Sequence, residues 1–251
     1  MHMRTKKWAR PELQACPFFI NSIKGPDSEP GMLTGTWRNR FADPSRPLHL
    51  EMGCGKAVST AKMIADNPEV NYVAADLSAD VLGVARRNIV SACGENPGNI
   101  QILLADICFV DKLFGPADAP ERIYIHFCNP WTEHLRHEKR RLTHPRQLMQ
   151  YRSFLKVGGE IHFKTDDDTL FEDSLTYFKL CGYEPVFLTR DLHASGYGPN
   201  WVSEHEEKYL ALGVPIKFGL FRMKPETPDF DPTRFHINPA AGKTAQKQPN
   251  A

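Results

Sequence analysis

The sequence predicts an α/β protein built on a doubly wound, mostly parallel seven-stranded sheet with helices on both faces. Three observations carry that expectation. Short apolar runs alternate with longer amphipathic stretches from Leu48 to Met223, the rhythm of a parallel sheet. A glycine turn, Gly53-Cys-Gly55, follows the first run directly, where the chain must bend from strand to helix. Glycines also mark later boundaries: Gly158-Gly159 before the fifth strand and Gly182 before the sixth.

In chain order, residues 1–47 read as an N-terminal extension, basic at its start through Arg4, Lys6, Lys7 and Arg10. Pro11, Pro17, Pro26, Pro30, Pro44 and Pro47 argue against long regular structure there, while Trp8, Phe18, Phe19, Ile20 and Trp37 can anchor the segment onto a core. Residues 48–223 form the main domain. Its predicted strands are Leu48–Met52, Tyr72–Ala75, Ile100–Leu104, Ile123–Phe127, Glu160–Thr165, Glu184–Thr189 and Ile216–Met223. Helices are expected over Lys56–Asp66, Ala79–Ala92, Pro145–Leu155 and Leu170–Cys181. In the second of these, Val81, Leu82, Ala85, Ile89 and Val90 share one face. Residues 224–251 form a proline-rich polar tail, expected to be largely disordered or draped over the surface by Phe230 and Phe235.

Composition narrows the function classes. A formal net charge of +1 excludes a uniformly basic protein, so nucleic-acid binding must come from local patches. The extension's start is one candidate, and Arg136, Lys139, Arg140 and Arg141 form the other. The cysteines form no CxxC pair, and the histidines near 134–144 fit no ligand spacing, so no metal is expected. No long apolar run follows the basic start, and none is long enough to span a bilayer, so a cytoplasmic protein is expected.

The chemistry gathers at predicted strand ends. Glu51 precedes the glycine turn, Asp76 ends the second strand, and Asp106 follows the third. The turn lacks the third glycine of a dinucleotide fingerprint, with Val58 in its place. Asp76 stands at about the spacing from which an acid reaches ribose hydroxyls. Three carboxylates favour a cofactor that is neutral or positive overall, and S-adenosylmethionine fits better than NAD. After the fourth strand comes Asn129-Pro-Trp131, a polar corner that leads into the basic run.

Taken together, Lys6-Lys-Trp-Ala-Arg10, Glu51-Met-Gly-Cys-Gly-Lys56, Asn129-Pro-Trp with Arg136-His-Glu-Lys-Arg-Arg141, Phe163-Lys-Thr-Asp166 and Ser203-Glu-His-Glu206 resemble the tRNA (guanine-N7)-methyltransferases. The likeness implies a Rossmann-like methyltransferase fold and methyl transfer from S-adenosylmethionine to a guanine in the variable loop of tRNA. It implies that Glu51, Gly53, Gly55, Asp76, Asp106 and Asn129 line the cofactor pocket, and that Asn129 and Asp166 are catalytic. Asp166 would hold the guanine, and Ser203, Glu204, His205 and Glu206 would close over it. Glu133, Arg136, Lys139, Arg140 and Arg141 would face tRNA, with Glu133 disfavouring phosphate and the cations attracting it. Two departures stand out: Asn129 where many members have Asp, and Thr132-Glu-His-Leu135 one residue longer and without a lysine. The basic residues favour this reading over a small-molecule methyltransferase, while the departures motivate a third, an RNA-binding protein of the same fold without turnover. Monomer and homodimer both remain open.

Overall fold

The computed structural model describes residues 5–23, 33–132, 135–238 and 243–246. The chain lays down α1 (Ala9–Gln14), β1 (Phe19–Asn21), β2 (Leu48–Met52), α2 (Val58–Asp66), β3 (Asn71–Asp76), α3 (Ala79–Cys93) and β4 (Ile100–Leu104). Then come β5 (Arg122–His126), α4 (Pro145–Arg152), β6 (Glu160–Thr165), α5 (Asp168–Leu180), β7 (Tyr183–Thr189), α6 (Glu204–Ala211) and β8 (Lys217–Met223). The main sheet runs β1-β4-β3-β2-β5-β6-β8-β7. Only β8 is reversed, antiparallel to both β6 and β7.

The seven predicted strands make up this sheet, and β1 extends it by pairing in parallel with β4. Sequence order reverses around β2, whose neighbours are β3 and β5. Such a switch point opens a crevice beyond the carboxyl ends of the strands.

Alternation along the strands divides the interior. Leu50 and Met52 of β2, Ile123 and Ile125 of β5, and Phe163 of β6 point into a core shared with Trp37, Leu148 and Phe178. On the opposite face Tyr72, Ala74, Ile100 and Ile102 meet residues of α1, α2 and α3. A smaller cluster, Leu192, Ile216, Phe218 and Leu220, packs with Phe127 and Tyr209.

The extension holds more regular structure than its prolines suggested. Pro11 sits in the first turn of α1, where a missing N–H breaks no helical hydrogen bond. Helix α1 lies so close to α3 that a Cβ on Gly83 would come 2.5 Å from Ala9 Cβ. Beside this contact the Arg87 guanidinium stacks 3.5 Å from the Trp8 ring centre. In the tail, Phe235 is buried and Phe230 packs against the same core. Residues Phe235–Asn238 (β9) and Lys243–Gln246 (β10) pair antiparallel.

Candidate active site

On one side of the crevice stands the turn after β2. The Gly53 and Cys54 N–H groups both donate to the Ala75 carbonyl, at 2.8 and 3.0 Å. The Gly55 N–H donates to Asp76 Oδ2 at 3.1 Å. Gly53 and Gly55 adopt φ of +82° and +57°, which glycine reaches without penalty, and nothing lies within 4 Å of a Cβ placed on Gly55. The loop therefore presents open backbone. Asp76 also accepts the Ser78 N–H through Oδ1 (3.0 Å), and Asp106 accepts the Cys108 N–H (3.0 Å).

Glu51 is buried and accepts a hydrogen bond from the Thr60 hydroxyl. Burial pushes its pKa up to about 7, against the Thr60 hydrogen bond and the Lys164 charge, with Asp76 adding a smaller upward push. Burial likewise raises the Asp76 pKa. A cationic ligand would relieve both costs. Leu77, which sequence reasoning missed, is 60% exposed beside Asp76 and offers an apolar surface at the same strand end. Its signal was an apolar residue directly after a strand-end acid.

The second turn follows β5. The Phe127 N–H donates to the Lys164 carbonyl at 2.9 Å. Phe127 and Trp131 adopt φ of 52° and 48° without being glycine, conformations that cost about 1–3 kcal/mol each and persist only where their surroundings enforce them. Asn129 is exposed, and its Oδ1 accepts the Trp131 N–H at 3.0 Å. An aspartate could make the same contact, so the Asn found here preserves the corner's shape.

Arg141 enforces that corner and corrects an expectation. It is fully buried, its Nε donating to the Pro130 carbonyl at 2.6 Å and its guanidinium pairing with Asp173 at 2.7 Å and Glu138 at 3.5 Å. With its donors used inside the protein, it cannot meet RNA phosphate. Lys139 and Arg140 are exposed, and Arg140 lies 5.2 Å over the Trp131 ring. Arg136 belongs to the 3-10 turn Leu135–Arg140. Glu133 lies outside the described residues.

The third wall joins β6 to α6. Ser203 caps α6 by accepting the Glu206 N–H at 3.2 Å. Glu206, expected to touch substrate, is instead fully buried. It pairs with Lys164 at 3.0 Å and His193 at 2.8 Å and accepts from Asn200 at 2.8 Å. Burial opposes its ionisation, but the Lys164 charge and these hydrogen bonds win, and its pKa falls. The predicted lid motif thus has an inward anchor. Its other members face outward: Glu204 pairs with Lys56 of the glycine loop at 2.6 Å, and His205 bonds Asp166 at 2.9 Å. Burial likewise opposes ionisation of Asp166, but the His205 hydrogen bond, its own backbone and the nearby Lys217 hold its pKa below the ordinary carboxyl value. Asp166 is a carboxylate.

Among the described residues no histidine, cysteine and acid cluster could hold a metal ion, and no helix is long and apolar enough to cross a membrane.

A family model described as "Putative methyltransferase" matches residues 45–218, from just before β2 into β8. The fold agrees. The 16S rRNA methyltransferase KamB superposes with a TM-score of 0.52 at 13% identity, covering 75% of this chain and 91% of that one. A 16S rRNA (adenine(1408)-N(1))-methyltransferase from Catenulisporales acidiphilia gives 0.51 at 13% identity, over 84% and 98%. The class is thereby defined as an α/β methyltransferase. Relatives narrow it further. A tRNA (guanine-N(7)-)-methyltransferase of Clostridium perfringens is 50% identical over 87% of this chain and 97% of its own length. One from Clostridium beijerinckii is 44% identical over 89% and 99%. The chain belongs to the tRNA (guanine-N7)-methyltransferase family.

Proposed function

We propose that this enzyme transfers a methyl group from S-adenosylmethionine to N7 of a guanine in the variable loop of tRNA, in a cytoplasmic setting. The observation that carries the mechanism is the placement of Asp166 directly after β6, at the carboxyl end of the sheet, where it bonds His205 of α6 at 2.9 Å. The residues around that turn suit the cofactor: open backbone at Gly53 and Gly55, buried acids at Glu51 and Asp76, and the exposed Leu77 for an adenine ring. When bound, the cofactor supplies a methyl group on a sulfonium. Glu51 and Asp76 would meet its ammonium and ribose, and Asp106 its adenine edge.

Guanine N7 carries a free lone pair, so no side chain need remove a proton before attack. The protein's task is to orient the base in line with the methyl, an arrangement worth about 7–11 kcal/mol in well-oriented systems. Asp166 accepts hydrogen bonds from the N1 and N2 edge, which adenine cannot offer, and its charge stabilises the purine as it becomes positive. Asn129 commits its oxygen to the Trp131 N–H, and its amide N–H groups would donate to the base or the cofactor. Lys139 and Arg140, with Arg136 beside them in sequence, would meet phosphate.

The test is incubation of purified protein with labelled cofactor and an unmodified tRNA transcript, followed by mapping of the product. One N7-methylguanine in the variable loop is expected. Binding without incorporation would overturn turnover, and methylation only of small molecules would overturn the substrate.

A further inference from the structure

A groove of about 740 Å³ opens between the 3-10 turn Ile107–Lys112 and helix α4, with Asp106 on its wall. Phe109 stands in it. The turn loses helical geometry at this residue (φ −122°, ψ 28°), and its ring is left 54% exposed. Gln150 Nε2 fixes the turn from the α4 side by donating to the Cys108 carbonyl at 3.1 Å. Behind the lining, the amide oxygens of Gln147 and Gln150 are buried and accept no hydrogen bond among the described residues.

Its rim is cationic. Lys139, Arg140 and Arg146 line it, and the Lys112 ammonium sits 5.1 Å from the Phe109 ring centre. Two acids oppose these four cations, Asp106 and Asp111, and Asp106 is already engaged by the Cys108 N–H. A protein of net charge +1 has concentrated positive charge around an open aromatic ring. That combination suits single-stranded nucleic acid, whose bases stack on aromatic faces while cations track its backbone. Arg140 also borders the corner through Trp131, so groove and crevice share a wall.

We propose that this groove is a second RNA subsite, in which an unpaired nucleotide of the substrate stacks on Phe109 while Arg140 and Arg146 hold its phosphates. The proposal rests on the tRNA reading above and adds to it a base other than the one methylated. It fixes which stretch of a flexible loop leads into the crevice.

The test measures tRNA binding over a range of salt concentrations, with methylation kinetics in parallel, for wild type, Phe109→Leu, Phe109→Trp and Arg146→Ala. Loss of a base–aromatic stack of about 1–3 kcal/mol should weaken tRNA binding and raise KM by about 5- to 150-fold in Phe109→Leu. Cofactor affinity should stay unchanged, and Phe109→Trp should restore binding because it keeps a stacking face. Arg146→Ala should reduce the slope of log affinity against log salt by roughly 0.7–0.9, one phosphate contact. Unchanged binding in Phe109→Leu with an unchanged slope in Arg146→Ala would overturn the subsite, as would equal losses in the Leu and Trp variants. A wild-type protein that binds tRNA without methylating it would overturn turnover instead, while the titrations still decide the groove. No tRNA binding by wild type would sink both.

Discussion

The two turns at the mouth of the crevice reach left-handed backbone by different means. After β2 the chain uses Gly53 and Gly55 and adds one non-glycine, Ala57 at φ 54°, and the turn's N–H groups donate to the Ala75 carbonyl and the Asp76 carboxylate. After β5 it forces Phe127 and Trp131 into the same region and holds them with Arg141 and the Lys164 main chain, residues brought in from elsewhere in the sequence. The first turn is a property of its own residues and its neighbouring strand. The second needs its neighbouring strand β6 and, through Arg141, Asp173 of α5 as well. Such a division suits the two ligands: a cofactor common to many enzymes can be met by a local motif, whereas one base in one RNA needs a surface assembled from afar.

The largest effect expected from breaking this contrast is at the buried pair on the assembled side. Glu206→Leu strands Lys164 in the interior and should cost about 3–5 kcal/mol of stability, read by urea unfolding, with loss of methyl transfer. Lys164→Met combined with Glu206→Leu should regain most of that stability but not turnover. Regained turnover would mean that the pair only supports the fold.

Next in size is Asp166→Ala, which should lower kcat by about 10²–10³-fold, the scale of losing one well-placed electrostatic stabiliser. Cofactor affinity, measured by calorimetry, should be nearly unchanged. Weakened cofactor binding would merge the two sides that the comparison separates.

The smallest effect belongs to the glycine side. With its pKa near 7, Glu51 is largely protonated at pH 6 in the free enzyme, and a cationic cofactor favours its carboxylate. Affinity should therefore rise by about tenfold from pH 6 to pH 8, with proton release at pH 6 detected in buffers of different ionisation enthalpy. The sign for stability is the reverse. Glu51 ionises more readily in the unfolded chain, so its contribution is complete below its ordinary pKa of 4.5 and is lost as pH rises through about 7. A flat affinity profile would show that Glu51 does not sense the cofactor's charge.

Legibility in the sequence follows the same divide. Strands β2, β4 and β6 coincide with their predicted limits because each is a short run between clear breakers. Glu51, Asp76 and Asp106 could be placed because strand-end acids need only local register. Helix α6 was not predicted, although Ser203 and Glu206 have the spacing of a capping box; the Ser half forms, and the Glu half turns inward to Lys164. Arg141 could not be distinguished from Arg140 in a basic run, because what separates them is Asp173, Glu138 and the Pro130 carbonyl. Strand β1 escaped notice at three residues long, since its pairing with β4 leaves no periodicity to read.

The docking of α1 and β1 also bears on the order of synthesis. Their partners are α3, which closes over Gly83, and β4, more than 80 residues further along from β1. Made before its partner, β1 stays unpaired at the sheet edge until residue 104 is available. The basic residues at the start of the chain travel with it, so they are free to meet polyanions before they are fixed beside α3.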